Sequence, residues 1–157
     1  MTTRPAPHAY LALLQWQGST AAGIRGYSRT HTALVPPAAR HLTLSADPAF
    51  RGDPQHLNPE QLLLTAASSC QLLSFLGEAA RAGVEVLAYE DEASARLDPE
   101  RGRLDAIRLA VTVRVAPGTD AGTVRDLAAR AHRACFVANS LAVPVDVVTE
   151  VEVSPRG

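Results

Sequence analysis

The sequence predicts an α+β fold with mostly antiparallel sheet, from two kinds of periodicity and their order. Apolar residues alternate with polar ones in short runs before residue 57 and in three longer runs after residue 84. Two stretches of helical spacing interrupt them, about 59–82 and about 120–138, so the order reads β-β-β-α-β-β-α-β. With 157 residues and 46% hydrophobic content, the chain has the size of one domain, 1–157, and can bury a core without disulfides or structural metals.

The first strands are expected within about 9–45, short and joined by turns. Pro36-Pro37 and Asp53-Pro54 forbid helix in this third. Asn58-Pro59-Glu60-Gln61 is then a strong helix start. Asn58 serves as N-cap, Pro59 takes the first helical position, Glu60 faces the helix dipole, and Gln61 completes a capping box. The helix runs to about 82 and is ended by Gly83. Leu63, Ala66, Ala67, Cys70, Leu73 and Gly77 recur at helical spacing, and Leu62, Thr65, Leu72 and Leu76 make the other side apolar as well. A helix apolar on both sides belongs in a core or a subunit interface.

A hairpin follows over about 84–115, turning at Asp98-Pro99-Glu100-Arg101-Gly102. In its second strand Ile107, Leu109, Val111, Val113 and Val115 face one way, and Arg108, Thr112 and Arg114 the other. The second helix, about 120–138, carries Val124, Leu127, Ala128, Ala131, Cys135 and Ala138 on one stripe. A strand over about 143–153 closes the chain, with Val145, Val147, Thr149, Val151 and Val153 set against Asp146, Glu150 and Glu152.

A net charge of -1 and the lack of a basic run with interleaved aromatics argue against nucleic acid as a partner. The apolar stretch around residues 9–14 is far shorter than a membrane span or signal core, so the expected setting is the cytoplasm, with no membrane partner.

Two cysteines lie far apart in sequence, Cys70 and Cys135, each on the apolar stripe of its own helix. A structural disulfide framework fits poorly, which leaves redox chemistry, metal binding or plain core packing. Burial on an apolar helix raises a thiol pKa, so a reactive Cys70 requires a nearby cation. A metal site would use Cys70, Cys135 and His132, the last two being three apart on one helix, but a fourth ligand and a close Cys-x-x-Cys are missing, so no metal or other cofactor is expected. His8, His31, His41 and His56 show no ligand spacing, and Ser68 and Ser69 lack a nucleophile elbow.

Asn58-Pro59-Glu60-Gln61-Leu62-Leu63, followed by Ala66-Ala67-Ser68-Ser69-Cys70, resembles the helix motif of the osmotically inducible protein C and organic hydroperoxide resistance (OsmC/Ohr) family. The segment 131–140, His132-Arg133-Ala134-Cys135-Phe136 within it, resembles the second-cysteine segment of that family, and the element order matches from Tyr10 to Val153. One departure is Phe136, where the peroxidase branches usually have proline; the chain resembles a side branch. The resemblance implies an OsmC-like intertwined homodimer with active sites at its interface, and a thiol-dependent reduction of organic hydroperoxides to alcohols. It implies Cys70 as the attacking thiolate, Cys135 as the thiol that resolves the sulfenic acid into a disulfide, and an external dithiol as reductant. It also implies an arginine that activates Cys70 and is oriented by Glu60. Arg51 is the first candidate for this arginine, Arg29 the substitute and Arg25 the third. Leu63, Leu73, Phe75 and Phe136 are the expected apolar lining for an alkyl hydroperoxide.

Glu60 and Cys70 are ten residues apart, or about 15 Å along a continuous helix. They cannot touch within one chain, so the implied arrangement draws the Glu60 end from a twofold-related subunit. The alternative is a non-catalytic small-ligand-binding or stress-response domain of the same fold, with both cysteines as core residues.

Overall fold

The computed structural model describes residues 8–156. They fall into two compact units that divide after Leu62.

The first unit holds a three-stranded antiparallel meander, β1 (Leu13–Gln15), β2 (His31–Leu34) and β3 (His41–Leu44), in that spatial order. The strands are short because Gly and Pro turns interrupt every alternation, and only Ala33 and Leu44 are buried among their residues. After β3, Asp47 caps a short 3-10 turn, Pro48–Phe50, by accepting a hydrogen bond from the Ala49 amide at 2.8 Å. The chain then pairs Leu57 with Leu44 and enters helix α1 (Pro59–Arg81). The capping box forms as its residues require. Asn58 Oδ1 accepts from the Gln61 amide at 2.8 Å, and Gln61 Oε1 accepts from the Asn58 amide at 3.0 Å.

The second unit contains the rest of α1 and everything after it. Gly83, at φ 71°, ends α1 in a Schellman turn: its amide bonds to the Ala80 carbonyl at 3.2 Å and the Val84 amide to that of Ala79 at 2.9 Å. Strands β4 (Val86–Asp98) and β5 (Arg103–Val115) form the long hairpin. At its tip Asp98 Oδ1 accepts from the amides of Glu100 and Arg101, and Gly102 supplies the positive φ of 63° that the turn needs. Helix α2 (Ala121–Ala134) begins at Asp120, whose carboxylate accepts from the Thr123 amide at 2.7 Å.

The last strand, β6 (Val145–Val153), lies parallel to β5, giving a sheet of order β4-β5-β6. A parallel partner needs a crossover, and α2 with its continuation supplies it. The inner face of this sheet carries Ile107, Leu109, Val111, Val113 and Val115, all buried, against Ala67, Phe75 and Ala79 of α1 and Val124, Leu127, Ala128 and Ala131 of α2. Burying such a Val or Leu side chain contributes about 1.5–3 kcal/mol.

The structure corrects one element. The helix expected over about 120–138 is broken at Cys135, which takes an extended backbone (φ -69°, ψ 109°), and a new short helix α3 (Phe136–Ser140) starts after it. The physical reason is local capping: the Cys135 sulfur accepts the Ala138 amide at 3.4 Å, as a serine hydroxyl would at an N-cap.

Candidate functional site

That break builds the site. Because the chain leaves α2 at Cys135, the first amides of α3 turn toward the sulfur of Cys70 on α1. Cys70 accepts hydrogen bonds from the backbone amides of Val137 and Phe136, from the Cys135 thiol and from the Ser74 hydroxyl one helical turn onward. Burial pushes the Cys70 thiol up, but these donors, led by the Val137 amide, outweigh it, and the net shift is downward from an ordinary thiol. Cys135 is driven the other way. It is 1% exposed, and burial together with its hydrogen bond to Cys70 raises its pKa despite the Ala138 amide. Both cysteines are free thiols. The pair therefore presents a half-exposed Cys70, whose ionised form is favoured, beside a buried Cys135, whose protonated form is favoured.

A polar seam underlies this pair. Gln71, next to Cys70 and 1% exposed, donates from Nε2 to the Ala128 carbonyl of α2 at 3.2 Å. Ser68 donates to Asp91 Oδ2 on β4 at 2.6 Å, and the Tyr89 ring packs on Phe75 with centroids 5.8 Å apart.

In the first unit, Arg29 is the arginine the fold organises. Its guanidinium lies over the Tyr27 ring, 4.0 Å from the centroid, and donates to the carbonyls of Tyr27 and Ile24. Trp16 meets Tyr27 edge-on and donates to the Ser28 carbonyl at 2.8 Å. Arg29, with Trp16, Tyr27, His31 and Pro59, lines a mostly apolar cavity of about 340 Å³. Pro59 is the first residue of α1, so this cavity lies one residue from Glu60. Arg51 instead caps the 3-10 turn at φ 66°, with its side chain exposed and without a hydrogen bond or ion pair among the described residues. Arg25 is exposed too. Glu60 is half-buried in the first turn of α1, and no ion pair joins it to any of these arginines.

The four apolar residues expected as lining part company. Phe75 is fully buried in the core and Leu63 packs at the edge of that core. Leu73 is 66% and Phe136 83% exposed, with Leu76 also outward, so an apolar surface flanks the cysteines. Helix α1 is long and apolar enough to cross a membrane by length and composition, yet only 22% of its apolar stretch is buried within the chain. Among the described residues no three His, Cys, Asp or Glu side chains converge as a metal site.

Sequence reasoning missed the donors to Cys70. Ser74 was legible, four residues after Cys70 on one helix face. The Phe136 and Val137 amides were not, because they point at Cys70 only once the helix breaks.

The model of the OsmC-like protein family matches residues 52–150, more than half of the chain. Among solved structures, an OsmC-like protein of unknown function from Vibrio cholerae shares 26% identity over 93% of this chain and 100% of its own, with a TM-score of 0.78. An organic hydroperoxide resistance protein from Legionella pneumophila shares 21% identity over 95% of this chain and 100% of its own, with a TM-score of 0.63. The organic hydroperoxide resistance protein of Bacillus subtilis shares 17% identity over 92% of this chain and 98% of its own, with a TM-score of 0.61. The last two likenesses are likenesses of fold. No curated protein matches the chain.

Proposed function

The chain belongs to the OsmC-like family, and on that premise we propose that it is a cytoplasmic thiol peroxidase that reduces organic hydroperoxides to alcohols. The observation that carries this reading is the thiolate-favouring environment of Cys70 beside the buried thiol of Cys135. The Cys70 thiolate attacks the distal oxygen of the hydroperoxide; the O–O bond breaks, the alcohol leaves, and Cys70 becomes a sulfenic acid. Cys135 then displaces that oxygen as water and closes a Cys70–Cys135 disulfide, which an external dithiol reduces.

The working unit in this reading is a homodimer. The outward apolar surface formed by Leu73, Leu76 and Phe136 supports a covered rather than a wet face. The axial separation of Glu60 from Cys70, about 15 Å, supports delivery of the carboxylate and its arginine from a second copy. Arg29 is favoured for that arginine over Arg51, because its guanidinium is already held in an apolar cavity beside the start of α1. A bidentate Arg–Glu pair would complement the thiolate in a way lysine cannot reproduce.

The test is turnover of cumene hydroperoxide with a dithiol, with oligomeric state read by light scattering. Wild-type protein is expected to turn over as a dimer, and Cys70→Ser to fall to background. Activity that survives Cys70→Ser would remove Cys70 from the mechanism.

A further inference from the structure

Helix α2 carries three exposed arginines, and the fold pairs only one of them. Arg130 meets Glu78 of α1 at 2.7 Å. The guanidiniums of Arg125 and Arg133 make no ion pair or hydrogen bond among the described residues. The Thr123 amide and hydroxyl, at 2.7 and 2.9 Å, hold the Asp120 carboxylate and lower its pKa, and Arg125 adds to that only through its field. Arg133 suits the C-terminal end of the helix dipole, but Arg125 lies in the second turn, where a cation gains nothing from it.

Arg125, Ala129 and Arg133 succeed one another at helical i, i+4 steps, so they form one ridge whose basic ends stand about 12 Å apart along the axis. Ala128 and His132 form the row beside it. Across from them, Val147 and Thr149 lie on the side of β6 that also turns Val145 and Val151 to the core. Together these residues bound a groove of about 350 Å³ at the open edge of the sheet. Its middle is apolar and vacant because alanines stand where longer side chains would fill it. No carboxylate lines it, since Asp146 and Glu150 alternate onto the other face of β6. The Thr149 hydroxyl, the one polar group on its face of β6, has no hydrogen-bond partner among the described residues.

We propose that this groove binds a straight-chain dicarboxylate. One carboxylate sits on Arg125 and the other on Arg133 beside His132, with the methylenes between them on Ala128, Ala129 and Val147 and the Thr149 hydroxyl as a further donor. Unpaired cations at both ends select an anion at each end of the ligand, and the apolar middle favours methylenes over a sugar. The site goes beyond the peroxidase reading and does not depend on it, for neither cysteine lines the groove.

Isothermal titration calorimetry of the full-length protein at low ionic strength tests this, with suberate and octanoate as probes. Octanoate has the same chain length and one carboxylate. Suberate is expected to bind at least about threefold more tightly than octanoate, the gain from one exposed charge pair. Arg125→Gln and Arg133→Gln are each expected to remove that gain, whereas Arg130→Gln, whose partner is Glu78, leaves it unchanged. Ala129→Leu, at an exposed helix position, fills the floor with every charge intact and is expected to abolish binding of both probes. No binding of suberate, equal affinity for the two probes, a loss in Arg130→Gln as large as in Arg125→Gln, or suberate binding that survives Ala129→Leu would each overturn the site.

Discussion

Cys70 and Cys135 are hydrogen-bonded to each other, yet their surroundings drive them apart. Around Cys70 the protein concentrates donors: two backbone amides, a serine hydroxyl and a thiol converge on one sulfur. Around Cys135 it concentrates apolar burial, relieved by the Ala138 amide at 3.4 Å and by Val137. Two chemically identical side chains thus take complementary surroundings, one half-open with its pKa lowered, the other enclosed with its pKa raised. The asymmetry comes from position: Cys70 sits inside a helix facing the start of another, whereas Cys135 sits at a helix break.

The largest effect that would break this contrast comes from deleting the enclosed partner. Cys135→Ser, which retains an N-cap oxygen for α3, is expected to halt multiple turnover with dithiol while leaving the first oxidation intact. Mass spectrometry after dimedone trapping should find the sulfenic acid on Cys70 accumulating. Multiple turnover retained at the wild-type rate in Cys135→Ser would contradict the assignment, because the chain holds no other cysteine to resolve the sulfenic acid.

Burial can be probed next, by comparing the two sides of α1. Phe75→Ala removes a ring that is fully enclosed and should cost about 3–5 kcal/mol in chemical denaturation. Leu73→Ala, at a position 66% exposed in one chain, should cost the chain itself less than about 0.5 kcal/mol. If the outward face is a dimer interface, that same change lowers the concentration stability of the dimer, read by dilution.

The donors around Cys70 are sharpened by Phe136→Pro. Proline has no N–H, so one of the two amides on the Cys70 sulfur is lost, while Phe136→Ala keeps it. Losing a hydrogen bond to a charged acceptor is expected to slow Cys70 alkylation at neutral pH by roughly tenfold, and Phe136→Ala by far less. Equal rates in both variants would assign the effect to the ring instead.

The smallest expected signal is in the pH profile of thiol alkylation. The Cys70 thiolate is favoured, so its reaction rate should level off at lower pH than an ordinary thiol, and that of Cys135 at higher pH. Superimposed profiles would erase the contrast.

Much of this was legible in the sequence where the cause is local. The capping box at Asn58, the stop at Gly83, the Asp98 turn and the period-two inner face of β5 each follow from residues within a few positions of one another. The motif around Cys70 and the family it marks were readable for the same reason, since they occupy one helix. Helical periodicity also carried the reading of about 120–138 too far. The apolar stripe continues through Cys135, and only the sulfur's bond to the Ala138 amide shows that the backbone has left the helix.

The choice among arginines rests on a different kind of information. Arg51 was preferred for its nearness to α1 in sequence, but what distinguishes Arg29 is stacking on Tyr27 and two carbonyl partners, which no spacing rule reveals. Likewise, Phe75 and Leu73 looked alike as apolar helix residues, and packing against Tyr89 separated them.

By itself, then, the sequence determined the element types, the ends of α1 and the placing of the two cysteines on apolar helix stripes, because propensity, capping and periodicity act over a few residues. Only the tertiary structure decided which cysteine is favoured as thiolate, which polar side chains are sealed beneath the pair and which aromatic ring is core. Those outcomes depend on burial and on donors brought together from α1, β4 and the α2–α3 break, elements distant in the chain whose approach no local pattern encodes.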